Sequence, residues 1–426
     1  MSKLVEKSHL KSIKKELTMR PMKDPYTKIS IPFTIYKETE NSVIVPRNWR
    51  APKTFPLRNK IPFPSFEGTL RHEQKIIVRK TIDCMKRAGG GLMCVRCGGG
   101  KTTMAIAAVA HFGVRTLVIV NKESLGNQWK ERIRQFAPGS TVGTLRSNIV
   151  DVNHHWVIGM IQSLSTNDYG KEIFDMFDCI IVDEAHHICA KVFSQAMLRF
   201  VGVSFTLSLS ATPDHKSGLR NVLHLFTGGT IVDMRETRSD VEVIEKNYAC
   251  ARYQLPPPLN KRQDVDLVQM TRILTEDEER NSLIILVLHE YLLEQQNHIL
   301  VLSALRDHCT HLHEMMGPEL SGIYMGGMTE DELIEASAKR VVFATNRMAD
   351  EGLDIPTLNT LMMVTPKSDV VQACGRVLRG AGGPKIIDFR DNWSILNGMS
   401  RKRKSYYISR KWVKSEEKIK KYMFID

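Results

Sequence analysis

No apolar run approaches the roughly 18 residues needed to span a bilayer, and the start, Met1-Ser2-Lys3-Leu4-Val5-Glu6-Lys7, lacks the apolar stretch of a secretory signal. Helical membrane proteins are thereby excluded, and a soluble intracellular protein with no membrane partner is expected. Cysteine is sparse and irregular: eight in 426 residues, with one Cys-x-x-Cys, Cys94-Val95-Arg96-Cys97. Without a second pair there is no four-ligand zinc set, and without regular spacing no disulfide framework, which points to a reducing compartment. His308, Cys309, His311 and His313 lie close in sequence, but the apolar positions near them read as a helix with a polar face.

The chain is too long for one compact core and suits two domains plus extensions. Its 42% apolar and 25% charged content is that of an ordinary globular protein. The formal charge of +13 sits at the ends. Residues 1–28 hold eight Lys/Arg against three acids, and residues 401–426 hold ten against three, which leaves +1 between them. Basic ends on a near-neutral body fit a polyanion partner, because each phosphate contact releases counterions. Two solvated tails are the alternative.

Buried-strand patterns recur at Leu92–Val95, Thr116–Val120, Val157–Met160, Cys179–Val182 and Phe205–Leu209, with helical patterns at Thr102–Phe112, Lys122–Phe136 and Ala190–Phe200. Short β-rich runs alternating with helices imply a parallel sheet covered on both faces. Pro256-Pro257-Pro258 breaks the pattern as a stiff loop. Beyond it come a long helix around Asp277–Gln296 and strands at Ile299–Leu302, Val341–Phe343, Thr360–Val364 and Lys385–Asp388, a second α/β domain. The first 65 residues, rich in proline, read as extended and β-rich, and the last 26 as a basic helix or arm. The expected boundaries are an accessory extension at 1–65, domains at 66–235 and 236–400, and a basic C-terminal arm at 401–426.

Cys97-Gly98-Gly99-Gly100-Lys101-Thr102-Thr103 follows the run Leu92-Met93-Cys94-Val95, and Asp183-Glu184-Ala185-His186 follows Ile180-Ile181-Val182. A glycine loop that leaves a buried strand and opens a helix aims free backbone N–H groups at an anion. Lys101 adds a charge for the outer phosphates, and the Thr102 hydroxyl can ligate Mg²⁺. A second strand ending in Asp-Glu supplies one carboxylate for a hydrated metal and one to handle water. Together they read as a nucleotide triphosphatase. The strict G-x-x-x-x-G-K-[ST] pattern is not met, since Val95 occupies its first glycine position; the strength lies in ordered company. Ser210-Ala211-Thr212-Pro213 ends the first domain's last strand, and Ala344-Thr345 with Gly352-Leu353-Asp354 follows a strand of the second. Gln372-Ala373-Cys374-Gly375-Arg376-Val377-Leu378-Arg379 falls on a helical pattern, where Arg376 and Arg379 share one face.

These motifs, from Leu70 to Arg379, resemble those of the superfamily two helicases of the DEAH/DExH type. Leu70-Arg71-His72-Glu73-Gln74 is similar to the adenine-site element of XPB-type DNA helicases, and Gln128-Trp129-Lys130-Glu131-Arg132 and Ile161-Gln162-Ser163-Leu164 point the same way. The compact size and the lead-in from Ile35-Tyr36-Lys37-Glu38 to Val45-Pro46-Arg47 resemble the poxvirus-type transcript-release DNA helicases of large DNA viruses. The resemblance implies two tandem RecA-like α/β domains with parallel sheets, a short β-rich N-terminal extension and a basic C-terminal arm. It implies ATP and Mg²⁺ as cofactors. Cys97 through Thr103 would cradle the phosphates, with Lys101 on the β- and γ-phosphates, Thr102 and Asp183 on the metal, and Glu184 on the attacking water. Arg71 and Gln74 would read adenine, Gly352 and Asp354 would complete the nucleotide site, and Arg376 and Arg379, with Gln372, would stabilise the γ-phosphate. Ser210 and Thr212 would couple turnover to movement.

Asn121, Lys122, Gln162, Ser163, Ser303 and Thr345 take the family positions that face the nucleic-acid backbone, holding a strand without reading its sequence. The expected function is an ATP-dependent DNA motor in transcript release or repair, with DNA favoured over RNA. RNA polymerase or other transcription machinery is the implied partner, and the cytoplasm, nucleus or a virion the implied place. An RNA helicase and a non-catalytic scaffold on a decayed motor fold are the alternatives; intact Lys101, Glu184, Arg376 and Arg379 argue against the second.

Overall fold

The structure, a computed structural model, describes residues 1–426 except 23–29, 51–53, 58–60, 97, 212–218, 235–239, 352, 354, 379–382 and 413–426. The chain divides into two compact units, Met1–Glu236 and Thr237–Asp426. Each is a RecA-like α/β domain. No helix among the described residues is long and apolar enough to cross a membrane.

The sheet of the first unit has eight strands, in the order Thr230–Met234, Gly90–Val95, Phe205–Ser210, Cys179–Val182, Thr116–Val120, Trp156–Met160, Val142–Arg146, Ile149–Asp151. All pair in parallel except the last, which folds back on Val142–Arg146 as a hairpin. Gly90–Val95, Thr116–Val120 and Cys179–Val182 are buried along their whole length, which is why they read as unbroken apolar runs. Helices Lys101–Ala110 and Glu123–Phe136 cover the sheet, the first almost entirely apolar and the second inserting Trp129 and Ile133. Parallel order sends every strand end that carries a motif to one edge of the sheet.

The first residues are extended and β-rich but belong to the body of the first unit. Ser2–Glu6, Ser42–Pro46 and Lys37–Glu38 form an antiparallel sheet whose Val43 and Val45 join one apolar cluster with Phe174, Leu198 and Phe200. A helix at Leu10–Glu16, not expected from the sequence, buries Ile13 in the same cluster. Arg47 is fully buried beside it and donates to the Val203 carbonyl oxygen at 3.2 Å.

The second unit has a six-stranded parallel sheet ordered Glu242–Tyr248, Lys385–Asp391, Thr360–Met363, Ile299–Ser303, Val341–Thr345, Ser321–Tyr324. Its first strand precedes the triple proline, so those prolines are a loop inside this unit and do not mark where it begins. Of the basic C-terminal stretch, residues up to Ser409 continue helix Leu396–Ser409. Arg403 and Tyr407 on that helix are buried, and both donate to Asp388 Oδ2, at 2.9 and 3.1 Å. That part of the expected arm is therefore core. Residues 401–412 hold six Lys/Arg and no acid, and among the described residues of this stretch Arg401, Lys402 and Lys411 are the exposed charges.

Candidate functional site

The strand Gly90–Val95 delivers the chain to a loop of glycines that only this backbone shape accepts. Gly98 and Gly100 have φ of 71° and 86°, the left-handed region that side chains disfavour. A Cβ on Gly100 would sit 2.4 Å from Gln74 Nε2, and one on Gly99 would sit 2.5 Å from Val95 Cγ1. The departure from the strict glycine pattern thus has a packing reason: Val95 fills the space beneath Gly99. Helix Lys101–Ala110 starts at Gly100, with Thr102 and Thr103 in its first turn. Arg71 and Gln74 both reach the loop, donating to the Gly99 carbonyl oxygen at 3.2 and 3.1 Å. Gln74 Oε1 in turn accepts from the Arg71 backbone N–H at 3.0 Å. In this arrangement the Gln74 amide shapes the phosphate loop, with both its ends engaged by backbone. Cys97 lies outside the described residues.

Strand Cys179–Val182 carries the acidic pair to the same edge. Asp183 is buried; its Oδ2 accepts from Trp129 Nε1 at 2.8 Å and its Oδ1 from the Glu184 backbone N–H at 2.9 Å. Burial, reinforced by the Glu184 charge, pushes the Asp183 carboxyl above its ordinary value, against the pull of Lys101 and the Trp129 hydrogen bond. Glu184 is held the other way. Burial opposes its charge, but Lys101 and then the neighbouring His186 keep its carboxyl below the ordinary range. Lys101 Nζ stands 3.7 Å from Glu184 Oε1, and His186 Nδ1 stands 3.4 Å from Oε2. Glu184 itself has φ 45° and ψ 51°, a left-handed conformation that costs a non-glycine residue about 1–3 kcal/mol. That strain turns its side chain toward Lys101 as the chain leaves the strand.

The other first-unit residues cluster at the same strand ends. Asn121 and Lys122 follow Thr116–Val120, and Gln162 and Ser163 follow Trp156–Met160, the adjacent strand. Gln162 Nε2 donates to the Asn121 carbonyl oxygen at 2.8 Å, and Asn121 Nδ2 donates to His187 Nε2 at 2.8 Å. Ser163 is mostly buried, and its hydroxyl oxygen accepts from the Ser147 N–H at 3.0 Å, fixing the turn of the edge hairpin. Ser210 is buried at the end of its strand, and Thr212 lies outside the described residues.

In the second unit Thr345 ends strand Val341–Thr345, half-buried. Ser303 does not present a hydroxyl outward. It is buried, pairs with His308 Nδ1 at 2.9 Å and accepts from the Leu305 N–H at 3.2 Å, while His308 Nε2 meets Asn281 Oδ1 at 3.0 Å. The Ser303 hydroxyl is thus engaged inside the fold. The neighbouring polar residues go elsewhere too, His313 to Ser321 and His311 to Glu278. Arg376 on helix Val371–Val377 donates through Nε to the Ala349 carbonyl oxygen at 2.7 Å. Gln372 Oε1 is buried with no hydrogen-bond partner among the described residues. Gly352, Asp354 and Arg379 lie outside them.

A glycine-shaped anion cradle, a lysine beside a glutamate and a buried aspartate at the end of Cys179–Val182 are now in place. Residues 67–215 match the family described as Type III restriction enzyme, res subunit. The chain is 29% identical over 439 residues to an Acanthamoeba polyphaga mimivirus protein named as an ATP-dependent RNA helicase, covering 96% of this chain and 83% of that one. It is 26% identical over 349 residues to a protein of Escherichia phage T5 named as a helicase, covering 77% and 72%. It is 24% identical over 388 residues to the transcript termination protein of Variola virus, covering 83% and 74%. The chain is thus similar over most of its length to proteins named as viral helicases.

The donors of this site suit a nucleotide with Mg²⁺. Thr102 hydroxyl and Asp183 carboxylate are hard oxygen ligands of the kind Mg²⁺ takes through few protein contacts and its own waters. Left-handed glycines leave backbone N–H groups for phosphate oxygens, and Lys101 is already among them. Two features escaped sequence reasoning. Trp129 stood out only as part of a family phrase, and nothing in its spacing says that its indole orients Asp183. His187 had no assigned role, and its contact with Asn121 joins residues 66 positions apart.

Proposed function

We propose that this protein is a helicase that hydrolyses ATP with Mg²⁺ to move along nucleic acid, with DNA as its track, in transcript release or repair. The observation that carries the reading is Lys101 held 3.7 Å from Glu184 beside a buried, doubly hydrogen-bonded Asp183. Bound triphosphate draws Lys101 onto its β- and γ-phosphates, which frees the Glu184 carboxylate to orient and activate the attacking water. Glu184 stays ionised for that task because its neighbours hold its carboxyl low. Mg²⁺ supplies charge neutralisation at the phosphates, with Thr102 and Asp183 as the residues that hold it. Arg376 and Arg379, with Gln372, take the γ-phosphate role that the family resemblance gives them.

Asn121, Lys122, Gln162 and Thr345 are the candidate track, supported for the first three by their common strand edge. Transcript release is supported by likeness to the poxvirus transcript termination proteins, which also makes transcription machinery the candidate partner. One observation favours RNA: the mimivirus relative is named as an RNA helicase. An ATPase panel with single- and double-stranded DNA and RNA separates these readings. DNA should raise turnover, and Lys101→Ala should abolish it. Stimulation by RNA alone moves the substrate to RNA, and full turnover in Lys101→Ala overturns the site.

A further inference from the structure

We propose that His187 is the positioning residue through which nucleic acid on the track sets Glu184 for catalysis; this rests on the function proposed above. The path is continuous in named contacts. Gln162 Nε2 donates to the Asn121 carbonyl oxygen, and Asn121 Nδ2 donates to His187 Nε2, each at 2.8 Å. The His187 ring lies 4.3 Å, centroid to centroid, from that of His186. His186 Nδ1 stands 3.4 Å from Glu184 Oε2. Gln162 and Asn121 come from the ends of two neighbouring strands, whereas His186 and His187 sit in the short helix Ala185–Cys189 that Glu184 opens. The chain of contacts therefore links two separate strand ends to the strained residue that handles water.

The link has a polar element with two arrangements. An amide offers a donor end and an acceptor end, and here its donor is given to His187 while Asn121 Oδ1 is buried with no hydrogen-bond partner among the described residues. A phosphate oxygen accepts and cannot donate, so one that arrives at the Oδ1 side of the amide meets another acceptor and is satisfied only when the amide turns to present Nδ2 there. When the amide turns to it, Oδ1 comes round to His187, which must then donate through Nε2. The ring's hydrogen-bonding role reverses, and His186, whose ring lies tilted against it, shifts relative to Glu184 Oε2. Coupling carried this way requires a discrete two-state element that both sites bias, and the Asn121 to His187 pair provides one.

The test uses the full chain with His187→Phe and His187→Gln. Phenylalanine keeps the ring that packs on His186 and, at 6.4 Å, on Phe193, but has no nitrogen. Glutamine loses the ring and keeps a group that can both accept and donate. ATP turnover is measured without nucleic acid and across an oligonucleotide titration, with oligonucleotide affinity measured separately and melting temperature recorded. His187→Phe is expected to lose about tenfold in stimulated turnover, the middle of the usual range for coupling between sites, with affinity and unstimulated turnover within about twofold. His187→Gln is expected to recover most of that stimulation. Full stimulation in His187→Phe, or better stimulation in His187→Phe than in His187→Gln, overturns the proposal, because ring packing is then what matters. A wild-type protein that turns over ATP but ignores every nucleic acid overturns the motor reading and this coupling with it. A stimulated wild type beside a stimulated His187→Phe overturns the coupling alone.

Discussion

Trp129→Phe is the sharpest probe of how the first unit prepares Asp183, the carboxylate proposed to hold Mg²⁺. The indole N–H is the side-chain donor to Asp183 Oδ2, at 2.8 Å, and both residues are buried. A hydrogen bond to a charged group contributes about 1.5–3 kcal/mol, and removing one partner leaves the carboxylate unsatisfied where water does not replace it. The smaller ring leaves a void that acts in the same direction. In a unit of this length, Met1–Glu236, that loss lowers the melting temperature by roughly 3–12 °C. It also frees the carboxylate to rotate, so ATP turnover should need more Mg²⁺ for half-maximal rate. A double-mutant cycle with Asp183→Ala separates the hydrogen bond from packing. If the bond matters, Trp129→Phe destabilises the Asp183→Ala protein by at least about 1 kcal/mol less than it destabilises the wild type. Calorimetry read beside a Mg²⁺ titration decides it. Strictly additive effects in the cycle, with an unchanged Mg²⁺ dependence, would refute the reasoning.

The second unit offers a pH test. Burial, then Arg280 and His311, push the His308 imidazole down to about 3, so it stays neutral in the fold while the unfolded chain binds a proton near 6.5. Stability should therefore fall as pH drops from about 6.5 toward 3, by about 1.4 kcal/mol per pH unit for this group. Urea unfolding of His308→Gln should show a flatter acid slope than wild type, and an equal slope contradicts the account. On the C-terminal helix, Arg403→Ala breaks the buried pair with Asp388 and should destabilise by about 3–5 kcal/mol; an unshifted melting temperature contradicts that. Arg401→Ala with Lys402→Ala, both exposed, should leave the fold intact and reduce the salt slope of DNA binding by about 0.9 for each phosphate that is no longer neutralised. An unchanged slope means those charges face only solvent.

The sequence by itself determined the architecture of the strands and the backbone shape of the glycine loop. Runs such as Thr116–Val120 and Cys179–Val182 are buried on both faces, so their apolar character is continuous and local, and the structure has strands with those same limits. Gly98, Gly100 and Lys101 work through backbone shape and one charge, which a short stretch of sequence carries complete. Tertiary structure alone decided the rest. The helix Leu10–Glu16 and the edge strand Ile149–Asp151 are short, and they hold their shape by packing or pairing with segments remote from themselves or folded back on them. Ser303 is polar at a strand end, like the residues that face a ligand, yet His308 and the Leu305 N–H take its hydroxyl. Trp129 to Asp183 and Asn121 to His187 are contacts between side chains 54 and 66 residues apart. A side chain's residue type says what it can bond to. Which partner it meets depends on where the sheet brings the strand ends together, and that is a property of the folded chain.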